Sequence, residues 1–115
     1  IEVAAEAAPH DTVRVRGGYT LVDSAIVEST SSFSRVFAAG NWAFRRPRHS
    51  GYVQGAWTWA RLSTDLTGTF VGRFVDSDFA SFTDPLLENP GWSLWDARAS
   101  WQTTSRLTTF LAIDN

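Results

Sequence analysis

The sequence predicts an all-β chain, an antiparallel up-and-down meander of about six long strands that forms an open segment of a transmembrane β-barrel. Three observations carry this expectation. Apolar residues recur with a period of two rather than 3.6 along most of the chain. Short connections alternate with long ones. Aromatic residues gather near strand ends; the 115 residues include six Trp and eight Phe.

In chain order, the first run places Ile1, Val3, Ala5 and Ala7 on one side and Glu2, Ala4 and Glu6 on the other. A turn at Ala8-Pro9-His10-Asp11 leads to a second run, Val13, Val15, Gly17, Tyr19 and Leu21, interleaved with Arg14, Arg16, Gly18 and Thr20. The third sets Gly51, Val53, Gly55, Trp57 and Trp59 against Tyr52, Gln54, Ala56 and Thr58. After Arg61-Leu62-Ser63, the fourth sets Leu66, Gly68, Phe70, Gly72 and Phe74 against Asp65, Thr67, Thr69, Val71 and Arg73. The fifth, Trp92 to Trp101, puts Trp95, Ala97, Ala99 and Trp101 opposite Asp96, Arg98 and Ser100. A turn at Thr103-Thr104-Ser105 precedes the sixth, Arg106 to Asp114, which is apolar on both sides and leaves its faces unassigned.

Between these hairpins lie two long links, Asp23 to Arg48 and Asp76 to Gly91. Short turns on one side and long loops on the other is the layout of an outer-membrane barrel, and it places both links outside the cell. The strands are expected to run to ten or more residues, as tilted spanning strands require. The polar side carries Glu, Arg, Asp, Gln and Thr, which a dry core tolerates only when paired but a wet lumen accepts. Glu6 is expected near Arg14, with Glu2 on the same face. Tyr19, Trp57, Trp59, Trp92, Trp95 and Trp101 are expected as membrane-interface aromatics, because amphipathic rings favour the water–hydrocarbon boundary. Ordinary sheet-core aromatics are the alternative.

With 43% hydrophobic residues and a net charge of −2, the chain is neither disordered nor a strongly basic nucleic-acid binder. It has no Cys, hence no disulfide framework and no thiolate metal site. No stretch approaches the ~20 apolar residues of a membrane-spanning helix. With no Met and no signal peptide ahead of Ile1, the expectation is an internal fragment.

Several segments resemble the TonB-dependent receptor family, especially the barrels of cobalamin- and siderophore-type transporters. Val13–Asp23, VRVRGGYTLVD, is similar to a strand ending in G-x-Y-T-x-x-D. Arg45–Ser50, RRPRHS, is similar to an R-x-P-R-H entry into the next strand. Phe70–Asp78, FVGRFVDSD, matches a YVG-R-x-D-D strand-to-loop turn. Pro90–Trp101, PGWSLWDARASW, resembles GYTLVDLRASY with Trp at both Tyr positions. Arg106–Asn115, RLTTFLAIDN, is similar to the strand that leads into NLFD and a final aromatic-ended strand. These are strand patterns rather than chemical signatures, and their order over almost the whole chain carries the resemblance.

The resemblance implies residues 1–115 as part of the C-terminal portion of a bacterial outer-membrane barrel of about 22 strands. It implies a role in energy-coupled uptake of a scarce ligand such as a metal chelate. The plug domain and the final strand are expected to lie outside this sequence, and the TonB complex would be a partner only through that plug. Outer-membrane lipid is the other partner; no nucleic acid and no cofactor are implied. Six strands cannot close so wide a barrel, so two open edges are expected.

No catalytic constellation is visible, and an enzyme is not expected. His10 and His49 have no second ligand at metal spacing, and Ser24 and Ser29–Ser34 lack a G-x-S-x-G elbow. Two loop clusters are candidates for ligand contact. Trp42, Arg45, Arg46 and Arg48 are cationic and aromatic, suited to an anionic chelate or to phosphates; the alternative is a loop base anchored to carboxylates. Asp76, Asp78, Asp84 and Glu88 offer hard oxygen ligands without a D-x-D-x-D-G loop; the alternative is a solvated acidic loop. The candidate ligand residues are therefore Trp42, Arg45, Arg46, Asp76 and Asp78. Competing functions are a passive pore or adhesin barrel, and a soluble Trp-rich ligand-binding module.

Overall fold

The computed structural model describes residues 1–30, 37–78, 80 and 86–115. Its strands are β1 (Glu2–His10), β2 (Val13–Leu21), β3 (His49–Trp59), β4 (Leu62–Val71), β5 (Phe74–Ser77), β6 (Leu86–Asn89), β7 (Trp92–Thr104) and β8 (Leu107–Ile113). Six of them form one antiparallel sheet in the order β1-β2-β3-β4-β7-β8, and β5 and β6 form a separate ribbon. The sheet is the expected meander, with two unpaired edges.

The turns are tighter than the sequence suggests. The β1–β2, β3–β4 and β7–β8 connections are two residues each, Asp11–Thr12, Ala60–Arg61 and Ser105–Arg106. Two-residue hairpins favour a positive φ, and Ala60 supplies one at 52°. Pro9, expected in a turn, lies within β1. Proline cannot donate to a ladder, but β1 is an edge strand and needs its donors on one side only.

A second correction concerns the fourth run, expected to continue through Phe74. It stops at Val71, and after Gly72 and Arg73 the chain starts β5. The link expected from Asp76 to Gly91 is thus partly structured: β5 pairs with β6 from Phe74↔Asn89 to Ser77↔Leu86. Strand lengths are 9, 9, 11, 10, 13 and 7 residues for β1, β2, β3, β4, β7 and β8, so β1, β2 and β8 fall short of the expected ten, although β1 and β2 still reach the lower end of spanning length.

The sheet has almost no interior. Among the described residues only Gly68 and Ser77 are buried. The exposed surface is 8844 Å², against about 6200 Å² for a water-soluble monomer of the same mass. Large apolar side chains are left open throughout, including Val15, Leu66, Trp95, Leu111 and Ile113.

Glycines are placed where neighbouring rings need room. A Cβ on Gly51 of β3 would stand 2.6 Å from the Phe70 ring of β4, and one on Gly68 of β4 would stand 2.6 Å from the Trp95 ring of β7. Over Gly51, Tyr19 and Phe70 stack at 6.4 Å from the two flanking strands. Ring-over-glycine contacts of this kind pin strand register.

Candidate functional site

The functional surface is the sheet itself, whose two faces differ in chemistry. Residues directly opposite in an antiparallel pair share a face. The β7–β8 register pairs Ala97↔Ile113, Ala99↔Leu111 and Trp101↔Thr109 on one face, and Arg98↔Ala112, Ser100↔Phe110 and Gln102↔Thr108 on the other. This assigns the faces of the last strand, which its composition alone left open. Thr109, Leu111 and Ile113 join the apolar face; Phe110 lies on the polar face, where the Arg98 guanidinium sits 4.9 Å from its ring centre.

The apolar face carries a groove of about 380 Å³ whose apolar lining includes Val15, Trp57, Leu66, Ala97, Ala99 and Leu111. The polar face carries a cavity of about 350 Å³ lined by Glu6, Arg14, Arg16, Gln54, Asp65 and Thr67. The expected Glu6–Arg14 pair is present, with Nε and Oε1 3.4 Å apart. The Arg16 Nε–H donates to the Gln54 side-chain carbonyl. Both groups of the Glu6–Arg14 pair are well exposed, so it contributes no more than about 1 kcal/mol and serves register more than stability.

The candidate interface aromatics occupy strand ends or near-ends. Trp57 and Trp59 close β3 and stack at 6.2 Å with an interplanar angle of 5°. Tyr19 lies two residues before the end of β2, Trp92 opens β7 with Trp95 three residues further on, and Trp101 lies near its far end. All six rings are partly exposed, Trp59 the most at 63%.

The loop clusters form a second unit, described by itself. Here Arg45 and Asp76, 31 residues apart, come together: the Arg45 Nε–H donates to Asp76 Oδ1 at 3.0 Å. The Arg45 amide donates to the Val75 carbonyl at 2.9 Å. These contacts hold Arg45 at φ 55°, a left-handed conformation that costs about 1–2 kcal/mol. Its guanidinium also covers the Phe44 ring at 4.9 Å. Trp42 lies beneath Arg48, which pairs with Asp23 at 3.7 Å. Arg73 pairs with Glu88 at 3.2 Å. Asp78 accepts the Ala80 amide at 3.0 Å. Arg46 is exposed, and Asp84 lies outside the described residues.

Beside this pairing is a cleft of about 330 Å³ between Asn41, Trp42, Arg73, Phe74, Leu86 and Glu88. Sequence reading named Trp42 and Glu88 but missed the rest of the lining. The β5–β6 register that brings Phe74 and Leu86 there has no periodic signal.

Asp76 is held below the ordinary carboxylate range, first by the Ser77 amide that it accepts and then by Arg45. A depressed folded pKa stabilises the fold above the unfolded value near 3.8 and withdraws that stability as pH falls through the folded value. Acidification below about pH 4 is therefore expected to lower the amide protection factors, corrected for the intrinsic exchange rate, at Arg45, Ser77 and their neighbours in the intact protein. Asp76→Asn should abolish that pH dependence; an unchanged profile would place its cause elsewhere.

An antiparallel sheet with one apolar face, one charged face and no interior is a segment of barrel wall. The family model for the TonB dependent receptor-like β-barrel matches residues 1–115, and the chain belongs to that family, whose members are receptors and transporters rather than enzymes. The crystal structure of the siderophore receptor PiuA from Acinetobacter baumannii is similar in fold. The match has a TM-score of 0.76 and 16% sequence identity, covering 98% of this chain and 16% of that receptor.

Proposed function

We propose that this chain is a wall segment of an outer-membrane receptor that takes up a scarce ligand, such as a metal chelate, by energy coupling. The observation that carries the proposal is the two-faced sheet without an interior. Its apolar face meets lipid and its charged face lines the lumen. Residues 1–115 then form part of one larger barrel, and the open edges of β1 and β8 pair with neighbouring strands. Coupling to the TonB complex runs through the plug, outside this segment. The siderophore receptor of similar fold supports a chelate as ligand.

In this reading Tyr19, Trp57, Trp59, Trp92, Trp95 and Trp101 sit at the lipid boundaries. The long links face the exterior, where Trp42, Arg45, Arg46, Asp76 and Asp78 contribute to ligand contact around the Trp42–Arg73 cleft. Arg45 and Asp76 shape the site through their mutual pair, leaving Arg46 and Trp42 as the groups offered to an anionic, planar ligand.

The intact protein, extracted in detergent, is expected to migrate faster on gels unheated than boiled, and to bind one or more of a panel of ferric chelates. Trp42→Ala with Arg46→Ala should weaken that binding at least tenfold while leaving the migration shift intact. A protein that stays soluble and folded without detergent would overturn the membrane reading.

A further inference from the structure

Along β7 the apolar face is lowest at Ala97 and Ala99, where only methyl groups rise from the backbone. On either side stand Leu66 of β4 and Leu111 of β8, the latter directly opposite Ala99. The groove of about 380 Å³ described above runs over these alanines. A second, of about 280 Å³, adjoins it through Ala99 and Leu111 and ends against Trp101 and Leu62.

Along β7 the two grooves together run as one trough from Ala97 to Trp101, four residues or about 13 Å at strand rise. At the usual barrel tilt that is roughly 10 Å of depth, about a third of a bilayer's hydrocarbon core. At the Trp101 end lie two tight turns, each with an arginine. The Arg61 carbonyl accepts the Gln102 amide at 2.9 Å, which fixes the β3–β4 turn beside β7. Arg106 lies in the β7–β8 turn, its amide donating to the Thr104 hydroxyl at 3.2 Å. Among the described residues neither guanidinium has a carboxylate partner. Each is exposed.

We infer that this trough is a binding site for one anionic glycerophospholipid. An acyl chain lies over Ala97 and Ala99, and the phosphodiester meets Arg61 and Arg106, which supply charge and hydrogen-bond donors to phosphate oxygens. An apolar surface low at two alanines, bounded by Trp101 and followed by two turns that each expose a cation, suits an acyl chain joined to an anionic headgroup. The inference rests on the reading that the apolar face meets lipid.

The test uses the intact protein in neutral detergent with added phosphatidylglycerol, and counts retained lipids by native mass spectrometry. One lipid retained per protein is expected, with retention falling at least fivefold in Ala99→Leu, which fills the trough while remaining compatible with hydrocarbon. Arg61→Gln with Arg106→Gln should lower phosphatidylglycerol retention about as much and leave phosphatidylcholine retention unchanged. These turn substitutions do not touch the sheet, so they remain informative if Ala99→Leu fails to fold. Retention unaffected by the paired Arg substitutions overturns the site. If heat-modifiable migration persists in that case, the barrel reading stands without it.

Discussion

An arginine at Ala97 is expected to destabilise the folded barrel by about 2–4 kcal/mol, whereas an arginine at Ser100 should change stability by less than about 1 kcal/mol. The two positions lie three residues apart on β7, flanking its midpoint, so depth and strand context are nearly matched. They differ in face. Ala97 stands opposite Ile113 on the apolar side, and Ser100 opposite Phe110 on the side that carries Arg98 and the Glu6–Arg14 pair. A charge held near the bilayer midplane must be desolvated or drag water inward. Urea titration of the intact protein in phosphatidylcholine vesicles, followed by tryptophan fluorescence, measures both. Equal costs would mean that the faces are equally wet and that the apolar face is covered by something other than lipid.

The second large effect is expected at Gly91. Its φ is +84°, and a Cβ there would run into the Val71 carbonyl oxygen and stand 2.7 Å from the Gly72 carbonyl carbon. The obstacle is backbone at the end of β4, which cannot rotate away as a ring can. Gly91→Ala is therefore expected to combine left-handed strain of about 1–2 kcal/mol with displacement of the start of β7, at least about 3 kcal/mol together. Gly40 provides the control: its φ is +91°, but a Cβ would meet nothing within 4 Å. Gly40→Ala should cost only the strain. If the two variants unfold at the same urea concentration, the close approach at Gly91 is not tight in the assembled barrel.

The sheet was legible because its signal is local. Alternation in Val13–Leu21 or Leu66–Phe70 needs no knowledge of a partner strand, and the Glu6–Arg14 pair follows from folding one hairpin onto itself. What stayed hidden depends on register between segments. The faces of Leu107–Ile113 could not be read from a run that is apolar at both parities; pairing with β7 decides them. The β5–β6 ribbon is two four-residue strands whose ladder is backbone alone. Pro9 reads as a turn signal until its strand is known to be an edge. Arg45 and Asp76 were each named as candidates, but not as partners, because 31 residues separate them. Arg45's positive φ is likewise set by its tertiary contacts, not by its residue type.

If β7 divides lipid from lumen as proposed, single-residue labelling along that strand will show it. The chain has no Cys, so a nitroxide attached through an introduced cysteine at each position from Asp96 to Trp101 reports one site within this segment. In the intact protein reconstituted in vesicles, labels at 97, 99 and 101 are predicted to collide preferentially with oxygen dissolved in hydrocarbon. Labels at 96, 98 and 100 should collide with a water-soluble nickel chelate. Accessibilities without a period of two, or with the two sets exchanged, would contradict the account.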